Sequence, residues 1–430
     1  MPDHRRKFSG FVFFAVTVFC VLPLHSQDSE DSFHRELPGI SGTIISIEVT
    51  GLKRTKPHIA RYPLEKFLGR EGSTLDLNEV KAAVKDTEIL EPVVVELTET
   101  EGGLILRVTV EEKWSLFPVP LVMGGSAGYD FGLFLADTNA FGMRDTAALG
   151  GMYGSAGWLL MTMYNHTPNR KGLPGWNGFF MYTRREHEDS DRKEKIHRRY
   201  TADALHFSLG LNYPFTGSIT GFVSVSFTGI SPKKNDNAFN NPEKEVMYLG
   251  LTPGFALRFI NWDGYLLSQK GFTLRYSYNM GIYGSSFHEL EFQGVFEQSL
   301  IPGFRFNLRN GTVWKFDSSG DLSEPLLEDG PSKAHVDILP RKFSAMQYIG
   351  FSAGLEKYLY KNRWGTLSIL GSWNCVFSRG PISGFEFDNG PSGGIRVYLS
   401  RLAIPALGAG IAYNLNSGLF QFYFSIGMSF

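Results

Sequence analysis

The last eleven residues of the chain, Phe420 to Phe430, read FQFYFSIGMSF. Phe420, Phe422, Phe424, Ile426, Met428 and Phe430 are apolar, and the residues between them are small or polar. Successive side chains of a strand point to opposite faces, so this alternation puts all six apolar groups on one side. In a soluble sheet that side needs a covering layer, and no residue after Phe430 supplies one. A strand whose apolar face meets lipid and whose other face meets water suits a transmembrane β-barrel. The alternative for this segment is the edge strand of a soluble sandwich.

Composition agrees. The net charge of −1 points neither to nucleic acid nor to a strongly charged partner. Aromatic content of 14% and 48 glycines suit interfacial girdles and tight barrel turns. No run of eighteen apolar residues follows the N-terminus, which argues against helical spans. Residues 1–26 read as a signal peptide: a basic start at His4 to Lys7, an apolar core from Phe11 to Leu24, and a small residue, Ser26, before a polar stretch. Phe19 before Cys20 is too bulky for a lipidation site. Cys375 is then the one cysteine of the processed chain, so neither an intrachain disulfide nor a thiolate metal cluster is expected.

Residues 27–42 read as an acidic, polar linker. Residues 43–113 read as a small α+β domain: a strand TIISIEVTG, helices from Pro57 to Leu68 and Leu75 to Leu90, then strands PVVVELTE and LILRVTVEE. Leu77, Val80, Val84 and Ile89 form one helical stripe able to pack on a three-stranded sheet. The order strand, helix, helix, strand, strand, with Gly51, Arg54 and Thr55 in a Gly-x-x-Arg-Thr turn, resembles a POTRA domain. The Phe-x-x-Val of that family after the second helix is replaced by ILEPVVV. A generic exported α+β domain is the alternative. Either offers open sheet edges that extended polypeptide joins by strand addition.

From residue 116 to 430 the pattern is strands and turns only. We count sixteen strands, an even number that lets the ends meet antiparallel. If the first strand rises from the α+β domain, odd connections lie on the far side. The long ones, Arg184 to Asp203, Gly229 to Val246, Asp317 to Ala345 and Ser378 to Gly393, all fall on odd positions. Connections on even positions are mostly tight, such as PFTG and IPGF. The expected fold is mainly β: a 16-stranded antiparallel transmembrane β-barrel preceded by one small α+β, POTRA-like domain.

DTNAFGMRD, NWDGYLLSQKGF, GFSAGLEKYLY, GGIRVYL and the final Phe430 resemble, in order and spacing, the BamA/TamA superfamily of outer-membrane insertases and translocases. The resemblance implies that the longest odd connection folds into the barrel. Its motif would be Arg341, Lys342 and Phe343, with Lys342 where the family has glycine. The arginine would pair with the inner wall, where Glu356 is a candidate and Asn374 stands in place of an aspartate. A buried arginine must be paired, since an uncompensated charge costs several kcal/mol. The alternative is a solvated surface loop.

The run Arg184 to Arg199 is of mixed sign and reads as a solvated loop, with His187, Glu188 and His197 as a weaker metal-binding alternative. No hydrolase elbow, zinc-protease motif or phosphate loop occurs, so neither an enzyme nor a cofactor is expected. The first barrel strand carries Pro118 and Pro120, which cannot donate to a ladder. Closure against the last strand, through Phe420, Phe422, Phe424 and Phe430, is therefore expected to be weak. The leading reading is an outer-membrane protein insertase or polypeptide translocase. It would capture clients with the POTRA-like domain in the periplasm and work at a lateral seam between first and last strands. A passive outer-membrane pore is the alternative, and a barrel enzyme a third. Expected partners are unfolded outer-membrane or secreted polypeptides, outer-membrane lipid, and periplasmic chaperones or accessory lipoproteins.

Overall fold

The computed structural model describes residues 42–426, apart from 126–127, 156, 169–172, 191–194, 234–239, 264–265, 317–335, 340–344, 363–364, 381–383 and 400–406. Strands β1 (Ile44–Thr50), β2 (Leu90–Thr100) and β3 (Gly103–Glu112) form a sheet of order β1-β3-β2. β1 runs parallel to β3, and β2 antiparallel to it. Two helices, α1 (Pro57–Arg61) and α2 (Leu77–Lys85), pack on one face, with Ile59, Val80, Val84, Leu106 and Val108 buried between.

Both helices are shorter than the sequence pattern suggests. α1 gives way to a 3-10 turn over Tyr62–Phe67, because Pro63 has no N–H to continue the α-helical ladder. α2 starts at Leu77, where the Asp76 carboxylate accepts from the Asn78 N–H. It stops before Thr87, whose hydroxyl donates to the Val84 carbonyl. Ile89 of the expected stripe is buried beyond the helix end.

A second sheet holds sixteen strands, each hydrogen-bonded to its sequence neighbour. They are β4 (Leu116–Gly125), β5 (Gly128–Ala140), β6 (Asp145–Gly154), β7 (Gly157–His166), β8 (Gly175–Ser190), β9 (Ile196–Pro214), β10 (Ile219–Lys233) and β11 (Val246–Asp263). The series continues with β12 (Leu266–Tyr283), β13 (Phe287–Ile301), β14 (Phe304–Phe316), β15 (Gln347–Asn362), β16 (Gly365–Arg379), β17 (Phe385–Leu399), β18 (Leu407–Tyr413) and β19 (Phe420–Ile426). β4 and β19, the ends of the series, approach to within 8 Å between Cα atoms, so the sheet curls into a barrel.

Exposed apolar residues alternate with inward ones around it. On β9, Phe207, Leu209, Leu211 and Tyr213 are exposed, while Gly210 is buried. The band from Leu205 to Tyr213 is about 20 Å tall for a strand tilted by about 40°. Asp203 bounds it, paired to Arg184 at 2.6 Å and to Lys233 at 3.5 Å.

The long hairpins depart from expectation. Most of the charged run Arg184 to Arg199 is strand: β8 and β9 stay paired from Arg184↔Asp203 to Ser190↔Ile196. Cross-strand pairs such as Arg199 with Glu188 at 2.6 Å stabilise ladder beyond the apolar band. His187, in the metal-binding alternative, stacks on Tyr200. β11 and β12 likewise run through the NWDGYLLSQKG segment, and β17 begins at Phe385, inside the expected loop. The long connections on odd positions are thus shorter than expected, except for residues 317–346.

The α+β unit is held against one end of the barrel. Gly51 has φ +89°, and a Cβ there would lie 2.0 Å from the Val110 carbonyl oxygen. The turn that follows is fixed by Glu112, whose carboxylate accepts the backbone N–H groups of Lys53 (2.8 Å), Arg54 (3.0 Å) and Thr55 (2.8 Å). This aims Arg54 and Thr55 at the β5–β6 turn. Arg54 pairs with Asp137 and donates to Ser115 Oγ at 3.1 Å. Thr55 Oγ1 accepts from Asn139 Nδ2 at 2.9 Å. Lys56 N donates to the Gly142 carbonyl at 2.9 Å, and Arg144 Nε donates to the Thr87 carbonyl at 3.0 Å. Gly142 has φ +71°, and a Cβ there would sit 2.3 Å from the Arg54 carbonyl oxygen.

Burial acts to raise the Glu112 pKa, but the three backbone donors outweigh it and hold the carboxyl below its ordinary range. Its contribution is therefore full above the unfolded carboxyl pKa of about 4.3 and is lost as pH falls through the lower folded value. Protection of the Lys53, Arg54 and Thr55 amides, measured against their intrinsic exchange rates, is expected to fall in a step on acidification of the native chain. In Glu112→Gln the step should vanish, since the amide cannot titrate. Gly142→Ala should weaken the joint by about 1–3 kcal/mol through strain at positive φ, read as faster protease cleavage between residues 51 and 57 with the barrel intact.

Candidate functional site

Two places in the barrel combine unusual chemistry with an opening: the β4/β19 junction and the lumen. At the junction, no ladder joins β4 to β19 among the described residues. β4 pairs with β5 without a register shift from Leu116↔Asp137 to Gly125↔Gly128. Proline has no N–H, so an unbroken ladder requires the nitrogens of Pro118 and Pro120 to point away from β5. The β4 edge facing β19 therefore lacks two donors. On β19, Phe420 and Phe422 are exposed on the lipid side, while Gln421 and Tyr423 are partly buried. This is the alternation expected of the last strand. The Phe424 side chain and Phe430 lie outside the described residues.

Inside, at the end nearer the α+β unit, five strands contribute a buried ionic cluster. Glu356 of β15 accepts from Arg305 Nη2 on β14, Arg396 Nη1 (3.1 Å) and Tyr398 OH (2.7 Å) on β17, and Ser368 Oγ (2.5 Å) on β16. Arg305 also reaches Glu297 of β13 at 3.4 Å, and Arg309 reaches the same carboxylate at 2.7 Å. Arg305 and Glu356 are each 1% exposed. Three guanidiniums face two carboxylates, so each carboxylate is shared and one net positive charge is left, and burial without that pairing would cost several kcal/mol per charge.

At the opposite end, residues 336–339 of the β14–β15 connection turn inward. Val336, Ile338 and Leu339 are buried against Val313, Tyr348, Val376 and Ala412, which project from β14, β15, β16 and β18. Asn414 Nδ2 donates to the Ile338 carbonyl at 3.3 Å, and Ser392 Oγ to Asp337 Oδ2 at 3.4 Å. Asn374 Nδ2 donates to Ser392 Oγ at 2.9 Å, while its own Oδ1 is buried without a donor.

Pro340, Arg341, Lys342 and Phe343 lie outside the described residues, though the segment just before them is infolded. The two candidate wall partners stand apart in role. Glu356 takes its donors from the wall itself, which the sequence reading did not foresee, because Arg305 and Arg396 are distant in sequence and meet it only across strand register. Asn374 is the wall residue nearer the infold, in the hydrogen-bond chain through Ser392 to Asp337. Gly51, Arg54 and Thr55, read as a domain-internal turn, meet the motif residues Asn139 and Gly142 of the barrel.

No protein-family model matches the chain, and neither does any curated protein. Among solved structures it is similar to CdiB from Escherichia coli, with a TM-score of 0.60 and 13% identity, covering 90% of this chain and 75% of that one. CdiB from Acinetobacter baumannii gives a TM-score of 0.60 at 12% identity, covering 90% and 74%. BamA from Haemophilus ducreyi lacking POTRA domains 1–3 aligns over 89% of this chain and 83% of its own at 12% identity. Its TM-score of 0.48 is too low to add weight. The likeness is one of fold, and it agrees with the outer-membrane barrel architecture expected from the sequence.

Glu356→Ala is expected to destabilise the barrel by about 3–5 kcal/mol, because Arg305 and Arg396 keep their burial and lose their counter-charge. The measurement is the urea midpoint of the purified, folded protein. A double variant with Glu356→Met and Arg305→Met should recover part of the loss.

Proposed function

We propose that the protein is an outer-membrane insertase or translocase for polypeptides, with the β4/β19 junction as its working edge. The observation that carries this reading is the β4 edge itself. Its pairing to β5 is complete, while the side turned to β19 is stripped of two donors by Pro118 and Pro120. In hydrocarbon an unpaired backbone group costs several kcal/mol, so an edge left poorly paired there is a persistent site for another strand.

The α+β unit would lie in the periplasm as a POTRA-like domain. Its outer strand β2 has an unpaired edge and exposed Val93 and Val94, a surface suited to extended polypeptide. A passive pore is less favoured. An ionic cluster lines the β13–β17 wall, and residues 336–339 of the far connection pack against the inside of the barrel rather than lying clear of it. Neither reading requires catalytic chemistry or a cofactor.

The test uses paired cysteines in a Cys375→Ser background, Phe117 or Val119 on β4 with Gln421 or Tyr423 on β19. Oxidation should stop insertion or release of barrel clients in reconstituted vesicles, and reduction should restore it. Unchanged client handling with the disulfide formed would remove the seam from the mechanism. Ion conductance with no client phenotype on deletion would favour the pore.

A further inference from the structure

The α+β unit is unevenly charged. Residues 51–64, GLKRTKPHIARYPL, contain Lys53, Arg54, Lys56 and Arg61 and no aspartate or glutamate. Most other cations of the unit stand against carboxylates: Lys66 and Arg70 share Glu79, Lys85 and Lys113 share Glu91, and Arg107 pairs with Glu48. Arg54 is taken by Asp137 of the barrel. Lys53, Lys56 and Arg61 are exposed and have no ion pair among the described residues.

This segment meets the barrel on its outer face. Phe131, Leu133 and Leu135 of β5 are exposed to lipid, and Asp137 continues that alternation. The Arg54 guanidinium reaches Asp137, so the contact lies one alternate position, about 7 Å, beyond the last lipid-facing leucine of the strand. At that level hydrocarbon gives way to headgroups.

Aromatic groups mark the same level. Phe141, at the tip of the β5–β6 turn, is 74% exposed and held at φ +57°, a conformation costly for a bulky residue. Its ring lies 6.4 Å from that of Tyr164, which stacks on Trp176 at 4.8 Å. The Lys56 N–H donates to Gly142, the next residue of the turn, so a free cation stands beside the aromatic row. Both carboxylates of the turn are already taken. Asp137 holds Arg54, and buried Asp145 accepts from Tyr164 OH (2.5 Å) and Thr167 N (3.2 Å) and lies 2.9 Å from His166 Nδ1. What this stretch of rim leaves open is cationic and aromatic.

We propose that Lys53, Lys56 and Arg61, beside Phe141, bind the phosphate headgroup of an anionic phospholipid in the leaflet next to the α+β unit. Aromatic residues alone suit any bilayer interface. Three cations without counter-charges at headgroup depth select an anion, and each cation near an anionic membrane surface strengthens association roughly fivefold. The acyl chains of such a lipid continue along Leu135, Leu133 and Phe131. The lipid adds a tie between the unit and the bilayer to the protein joint at Asp137 and Gly142. The inference needs only that the barrel sits in a membrane, and it is independent of what the barrel handles.

The experiment places the processed full-length chain, with benzoylphenylalanine at Phe141, in nanodiscs of equimolar phosphatidylglycerol and phosphatidylcholine. Lipid adducts are counted by mass spectrometry after illumination. A second protein carries the same group at Phe215, an exposed aromatic of the β9–β10 turn at the same end of the barrel. Adducts at Phe141 should favour phosphatidylglycerol by about fivefold or more, and those at Phe215 should stay near parity. Lys53→Gln with Lys56→Gln and Arg61→Gln should bring the Phe141 ratio to parity, as should raising the salt from about 0.05 to about 0.5 M. Lys56→Gln alone should lower the ratio by about half or more. Folding of each variant is checked by heat-modifiable migration.

Equal ratios at Phe141 and Phe215, or a preference at Phe141 that survives the triple substitution, would overturn the proposal. So would loss of the preference on adding soluble glycerol phosphate, since the cations would then hold a free phosphate ester instead of a lipid.

Discussion

Every backbone N–H and C=O inside a bilayer must find a partner in the protein, because no water is there to replace one. Fifteen strand junctions in this barrel meet that demand with ladders between sequence neighbours. At the sixteenth, between β4 and β19, no ladder joins the described residues. Pro118 and Pro120 make the shortfall a property of the sequence, since no rearrangement of the strand restores a proline N–H. A joint to the α+β unit lies beside that junction, and the ionic wall of β13–β17 ends two strands from it.

The lumen shows how a wide barrel remains stable with charges inside. Glu297 and Glu356 are shared among Arg305, Arg309 and Arg396, with Ser368 and Tyr398 supplying further donors. Such a network is strong only while complete. It binds β13 to β17 into one stiff half-wall, while the β4–β8 half carries flexible methionines and no comparable network among the described residues. The junction therefore lies between two unlike walls: the β4–β8 side carries methionines, and the β13–β17 network ends two strands from β19.

Much of this was legible in the sequence. Period-two alternation gave the strand count and the outward face of Phe420 and Phe422, and connection parity placed the longest loop between β14 and β15. What escaped was governed by pairing between distant residues. The run Arg184 to Arg199 reads as a loop because it is charged, yet opposite charges face one another across the hairpin and continue the ladder. The partners of Glu356 lie 51 and 40 residues away and become neighbours only through register. The apolar stripe of α1 continues past Pro63, whose missing N–H converts the end of the helix into a 3-10 turn.

The joint between the α+β unit and the barrel has a mechanical consequence. Arg54, Thr55, Lys56 and the Thr87 carbonyl all grip the β5–β6 turn, at Asp137, Asn139, Gly142 and Arg144. β4 is joined to the unit only through the short run Lys113 to Ser115, where the Ser115 carbonyl accepts from the Thr138 N–H. A pull on the α+β unit is therefore shared between the β5–β6 turn and the chain that enters β4. On the proposed reading, the edge of β4 turned away from β5 stays clear of these contacts, much as a door leaf swings while its frame carries the wall.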